Sequence, residues 1–203
     1  LFRYATRARC RQVCDGGCTG CAGCCDTGGP RCVRSCDSLT ALAGFVWAGL
    51  DEQAGLSMTC CPENETASYN VRTSTNYFGG QIGMQGRRAW NRWAVEGSWK
   101  TALCGVTAAQ ASDPINGSLY GSRDAQSATA GGVGFIGNLN ATLVYRLTDA
   151  WGVRCGYNLL WLTNAALAPS QWDFSDNASS GSGINDNGTV FLHGANLGLE
   201  ARW

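Results

Sequence analysis

The chain has 203 residues, 15 basic and 15 acidic side chains, a formal net charge of zero and only 15% charged residues. This balance argues against a nucleic acid or an anionic surface as partner, and no run approaches the roughly 18 consecutive apolar residues of a membrane-crossing helix. Twenty-eight glycines and 10% aromatic residues without a long apolar run point to an all-β chain with many turns; an alternating strand hides its apolar face from a hydropathy scan, so a membrane barrel fits these numbers too.

No charged-then-apolar leader follows Leu1, so the chain reads as a processed protein or a fragment. Either further strands precede Leu1, which is the preferred reading, or residues such as Phe2–Ala8, with Phe2 and Tyr4 against Arg3 and Arg7, hold part of one. Residues 1–37 form a separate cysteine-rich segment. Cys10, Cys14, Cys18, Cys21, Cys24, Cys25, Cys32 and Cys36 are crowded there among Gly, Asp and Arg. With almost no large apolar residue, this block needs cross-links or metal to be ordered. Its overlapping Cys-x-x-Cys steps suit zinc or an iron–sulfur cluster in principle, but no histidine and no separated knuckles accompany them. Disulfides in an oxidising compartment are the simpler reading, so no metal or other cofactor is expected. Cys60 and Cys61 fall in a loop and could pair, whereas Cys104 and Cys155 are separated by an intervening strand.

Residues 38–203 read as at least six antiparallel strands. The first is Leu39–Leu50. The second is Asn70–Met84, with Phe78, Gly80, Ile82 and Met84 on one face. The third, Trp93–Leu103, sets Trp93, Val95, Trp99 and Leu103 against Glu96, Ser98 and Lys100. The fourth, Phe135–Leu147, sets Phe135, Leu139, Leu143 and Tyr145 against Asn138, Asn140, Thr142 and Arg146. The fifth, Trp151–Trp161, sets Val153, Cys155, Tyr157 and Leu159 against Arg154 and Asn158. The sixth is Thr189–Trp203, whose Phe191, His193, Leu197 and Leu199 oppose Gly194, Asn196, Gly198 and Glu200. A period of two between an apolar and a polar face marks strands that separate two environments.

The connections alternate in length. Short turns are expected around Gly86–Asn91 and at Thr148–Ala150, and long polar loops elsewhere. Outer-membrane barrels place short turns on the periplasmic side and long loops outside. With that parity the last strand ends at the periplasmic rim. Aromatics recur at membrane spacing on the apolar face: Phe135 with Tyr145, Trp151 with Trp161, and Phe191 with Trp203, with Trp93 beginning its strand. Ten to twelve residues at about 3.3 Å, tilted by about 40°, span roughly 25–30 Å, close to the apolar band between two aromatic girdles.

The stretches TNYFGGQIGMQG (Thr75–Gly86), NRWAVEGSWKTALCG (Asn91–Gly105), ATLVYRLTDAWGVRCGYNLLWL (Ala141–Leu162) and TVFLHGANLGLEARW (Thr189–Trp203) resemble the carboxy-terminal half of the planctomycete outer-membrane β-barrel porin family, and LAGFVWAGLDE (Leu42–Glu52) is similar to a further strand of it. The resemblance covers about residues 38–203. It implies an antiparallel up-and-down transmembrane β-barrel, or part of one, in a bacterial outer membrane, with the lipid bilayer as partner and small solutes as cargo. The strand ending in Trp203 is similar to the terminal signal that barrel-assembly machinery reads. The family carries no catalytic residues to transfer, and the cysteine-rich start departs from its pattern. Six strands are fewer than the usual minimum of eight, so the chain is expected to be part of a longer barrel.

The polar faces supply the candidate site. If the second short turn centres near Asp149–Ala150, Arg146 lies directly across from Arg154, a like-charged pair that needs a counter-charge. Glu96 and Glu200 lie at a similar height, which predicts a lumen ring of Glu96, Arg146, Arg154 and Glu200 with Lys100 and Arg202 nearby. It reads either as a charged constriction that selects solutes or as a salt-bridge lattice filling a narrow barrel.

Catalytic chemistry has little support. His193 is the only histidine and sits on the apolar face, and there is no Gly-x-Ser-x-Gly motif. Asp51 and Glu52 are adjacent, so a strand turns them to opposite faces. Gly131–Gly134 lacks the Lys and helix of a phosphate loop. Five Asn-x-Ser/Thr sequons reflect loops rich in those residues. The expected function is a non-enzymatic outer-membrane barrel, either a porin-like passive channel or a structural surface protein. The alternative is a secreted, disulfide-linked β-sandwich that binds through its long loops.

Overall fold

Seven strands, each antiparallel to the next, form one sheet in chain order: β1 (Phe2–Cys14), β2 (Cys32–Cys60), β3 (Glu65–Trp90), β4 (Trp93–Ser112), β5 (Gln126–Arg146), β6 (Trp151–Ala165) and β7 (Gly188–Ala201). The structure, a computed structural model, describes residues 2–14, 32–60, 65–115, 123–175, 177 and 179–201, with side chains from residue 37 onward apart from residues 60 and 65. Among these residues the sheet is a curled half-barrel with β1 and β7 as its edges. The all-β, up-and-down architecture is therefore as expected from the alternation. No second sheet packs on it among the described residues.

The strands are longer than the alternating stretches that announce them. β2 runs unbroken through residue 37, and β1 pairs with it. The backbone register sets Cys10 opposite Cys36 and Cys14 opposite Cys32. Cys18, Cys21, Cys24, Cys25 and Cys61 lie outside the described residues. The first short turn is Asn91–Arg92, not Gly86–Asn91: β3 continues to Trp90, which pairs with Trp93, and Asn91 takes the left-handed conformation (φ 50°) that Asn tolerates in two-residue turns. At the second turn Leu147 and Thr148 N–H donate to Trp151 O, and Thr148 Oγ1 accepts from Ala150 and Trp151 N–H.

The two faces of the sheet differ in kind. On the concave face Tyr77, Ala102, Cys104, Val106, Ile136 and Leu162 are buried as one cluster, with Val46, Ala48, Leu160 and Val190 against it. Burying the Tyr77 ring favours the fold by about 2 kcal/mol, most of which is offset by its buried hydroxyl, which has no hydrogen-bond partner among the described residues. Its ring fits because Gly134 beside it has no Cβ; one there would lie 3.1 Å from Tyr77 and 2.6 Å from Val106. The convex face is apolar and open: Phe45 is 84% exposed, Trp47 73%, Leu103 69% and Leu197 78%. Trp161 lies across Gly137 on this face, where any Cβ would enter its ring.

The margins of this apolar band run obliquely to the hydrogen-bonded rows. At the loop end, Trp47 (β2) and Phe78 (β3) share the row of Gly105. Leu103 (β4) and Phe135 (β5) share the next row on that face, and Trp161 (β6) and Phe191 (β7) the next but one. The edge therefore falls by four residues over the five steps from β2 to β7, somewhat less than one residue per strand. At the turn end, Trp90, Trp93 and Tyr145 share a row, and Trp151 lies one row further out. Both edges drift in the same sense. Four residues of about 3.3 Å over five interstrand spacings of about 4.8 Å correspond to strands tilted by about 30° from the band's normal, just below the tilt typical of closed barrels. Beyond the loop-side edge the same face turns to Gly49, Asn76, Thr107, Thr163 and Thr189. The girdle residues Trp93, Phe135, Tyr145, Trp151, Trp161 and Phe191 thus lie on or within a row of the band's margins; Trp203 lies outside the described residues. Asp37 and Arg88 form an exposed ion pair (3.6 Å) near the turn-side margin.

Candidate functional site

The inner wall carries the charged residues anticipated on the polar faces. Glu96 on β4 is shared by two guanidinium groups: Arg87 Nη1 is 3.1 Å from Oε1, and Arg154 Nη2 is 3.5 Å from Oε2. The second contact reaches across β5, where Thr142 lies beside Glu96. Arg154 is extended over Gly198, whose missing side chain leaves the space its stem occupies. Arg146 is not across from Arg154. The turn sets Arg146 opposite Gly152 and Arg154 opposite Val144, two residues away from the anticipated register, because the turn spans residues 147–150. Gly152 in turn pairs with Glu200, so Arg146 and Glu200 flank a glycine in one row and line a small cleft with Thr148 and Asp149.

Allowing about one residue of fall per strand, Arg154 stands at the level of Glu96, and Arg87 and Glu200 stand within about one residue of it. Four of the charged groups thus form a belt at one depth, while Arg146 lies about three residues nearer the turns. Lys100 lies four residues above Glu96 with its stem over Gly83. Arg202 lies outside the described residues. Amides fill the wall between: Asn140 donates to Asn158 Oδ1, and Thr142 Oγ1 donates to Asn140 Oδ1 (3.3 Å). Arg87 has no place in the anticipated ring, since a strand stopped at Met84 leaves it in a turn.

A second element lies over the same wall. The described residues of the β6–β7 connection, 166–175, 177 and 179–187, fold inward across β2, β3 and β4 instead of standing out from the rim. Continuing from Ala165 at the end of β6, the connection begins with the apolar run Ala166, Leu167, Ala168 and one 3₁₀ turn, Ala168–Gln171, in which Ala168 and Gln171 are buried. Ala166 N–H donates to Thr75 Oγ1 (3.1 Å) and Ala168 N–H to Glu52 Oε2 (3.1 Å). Asp173 N–H donates to Tyr69 OH (3.4 Å). The buried Gln110 amide donates to both Gly181 O (2.9 Å) and Gly183 O (2.6 Å). Arg123 donates to Asp173 O and Ser175 O (2.8 Å each) and lies over the Tyr69 ring. The strand-borne partners Glu52, Tyr69, Thr75 and Gln110 belong to inner-face rows, so the strap closes over the loop end of the concavity.

Asp173 holds the strap's own fold. Its carboxylate accepts from Ser175 Oγ–H and N–H and from Gly181 N–H, which, with a smaller contribution from the Arg123 charge, lowers its pKa from 3.8 to about 2. A depressed carboxylate stabilises the fold at every pH above its unfolded value, and the contribution disappears as pH falls through the folded value. The strap is therefore expected to loosen between about pH 4 and pH 2. Amide exchange at Ser175 and Gly181, corrected for intrinsic rates, should accelerate over that window in the native chain. In Asp173→Asn it should already be fast at pH 5 and show no such step.

The remaining candidates are scattered. His193 lies on the convex face with Nδ1 2.7 Å from Tyr157 OH. Cys104 is buried on the concave face and Cys155 exposed on the convex one, both as free thiols. Asp51 faces out and Glu52 in, as their adjacency requires. Among the described residues no three His, Cys, Asp or Glu side chains converge on a point where a metal could sit. Comparison with protein-family models, with curated proteins and with solved structures gives no match.

Proposed function

We propose that this chain forms part of the wall of a bacterial outer-membrane β-barrel and acts, without catalysis, as a porin-like passive channel or a structural surface protein. The observation that carries the reading is the oblique apolar band. An exposed sheet in water has no reason to align its aromatic margins along a line tilted by about 30° to its rows, whereas strands crossing a bilayer at that tilt must. The resemblance of residues 38–203 to the planctomycete porin family accords with it, and so do the connections after β4 and β6, residues 113–125 and 166–187, at the end opposite the turns 91–92 and 147–150; the connections after β1 and β2, residues 15–31 and 61–64, depart from that division of lengths. Lipid is then the partner of the convex face, small solutes of the concave one, and the assembly machinery of the last strand. A secreted sandwich needs a second layer to cover one face of the sheet, and the described residues supply none. Cysteines set opposite one another between β1 and β2 lie at the short-turn end, which this reading places in the periplasm, where disulfides form.

The test is extraction. Expressed with an export signal, the protein should stay with membranes through salt and alkaline washes, need detergent for release, and migrate differently on gels before and after boiling. Recovery in buffer without detergent as a folded species would overturn the reading.

A further inference from the structure

The lower concave wall has an excess of positive charge whose sign defines the solute it favours. Between the turn end and the apolar row of Ala102, Ile136, Leu162 and Val190, the inner-face strand residues whose side chains are described carry four cations, Arg87, Lys100, Arg146 and Arg154, and two carboxylates, Glu96 and Glu200. Glu96 is divided between two guanidinium groups, one oxygen to each. A guanidinium has five N–H donors and no acceptor, so Arg87 and Arg154 each retain donors beyond that single contact. Among the described residues no carboxylate stands within ion-pair distance of Lys100. Asn138, Asn140, Asn158 and Asn196 add uncharged amide N–H groups, and the glycines at 83, 156, 194 and 198 leave the wall without side chains between the cations.

Resting on the channel reading above, we propose that this wall is an anion path, taking chloride and small carboxylate or phosphate solutes in preference to cations. Each uncompensated charge about 7 Å from a passing ion, in a medium as polar as water, changes its local concentration about threefold, in opposite directions for anions and cations.

The experiment reconstitutes the full chain in planar bilayers and reads the reversal potential under a tenfold KCl gradient. The wild type should pass chloride over potassium by threefold or more. The Lys100→Glu and Arg146→Glu double substitution should lower that ratio by at least threefold, with heat-modifiable gel mobility retained as the sign that the barrel still folds. The milder Lys100→Gln and Arg146→Gln pair should shift the ratio in the same direction and serves if the charge reversals do not fold. Channels that favour potassium, or that keep their ratio in both pairs, would overturn the anion path and leave the channel reading standing. Folded, membrane-inserted protein that passes no current would overturn both.

Discussion

Leu139→Lys should destabilise the folded chain in lipid by about 2–4 kcal/mol, whereas Leu147→Lys should cost no more than about 1 kcal/mol. Both leucines are on the convex side and similarly exposed, at 40% and 50%. They differ in depth. Leu139 shares its row with Trp99 and Leu159, midway across the apolar band, and Leu147 stands beyond Tyr145 at the turn-side rim. In hydrocarbon, a lysine at the midplane must drag its charge to water along its own stem, while one at the rim is already there. In water the two substitutions would be alike and within about 0.5 kcal/mol of neutral. Urea unfolding in vesicles, followed by tryptophan emission, measures the difference. Equal costs for the two would remove the bilayer from the account of this face.

The second large effect belongs to Glu96. Glu96→Lys removes the carboxylate between Arg87 and Arg154 and places a third cation there, and should cost about 2 kcal/mol. Breaking a fully buried pair costs about 3–5 kcal/mol, and the side chains here are 26–42% exposed, so water screens part of the loss. The diagnostic is rescue. Adding Arg154→Glu to Glu96→Lys restores a lysine–glutamate contact at the same place and should recover about half the loss in the same unfolding assay. A double variant no more stable than the single one would show that space on this wall, and not charge, sets the cost.

Most of the apolar-band architecture was legible because the two faces of the strands differ most sharply there. Trp93 and Trp151 open β4 and β6 where the pattern begins, and the convex face of β5 and β7 is the one read from Phe135 and Phe191. The strands' outer thirds were not legible. Gly105–Ser112 on β4 and Gln126–Gly134 on β5 are Gly, Ala, Ser, Thr and Gln with a lone valine apiece; the buried inner face of β4 there, Val106, Ala108, Gln110 and Ser112, is too small and mixed to stand out against Gly105, Thr107, Ala109 and Ala111, and the period of two loses its contrast. The turn at Asn91–Arg92 was hidden behind Gly86, which resembles a turn residue but lies within β3, and that misplacement took Arg87 out of the expected charge belt. Placing the turn on Asn91 pairs Arg87 with Glu96 by counting alone. The inward strap gave a fainter signal. Ala165–Ala168 is too apolar for the start of an exposed loop whose later part, Ser175–Gly188, is almost all Ser, Gly, Asn and Asp, and Gln110 is a large amide where small residues surround it.

The strap also bears on the order in which the chain acquires its structure. Each hairpin of the meander is a local event, because its partners are neighbours in sequence. The contacts between Thr75 and Ala166 and between Glu52 and Ala168 join residues 91 and 116 positions apart. Contacts of that separation carry the greatest loop-closure entropy and are the slowest to form. They require β2, β3 and β4 to be in register beforehand. Docking of residues 166–187 is therefore the closing event of folding, and the mouth of the concavity stands open until the wall beneath it is complete.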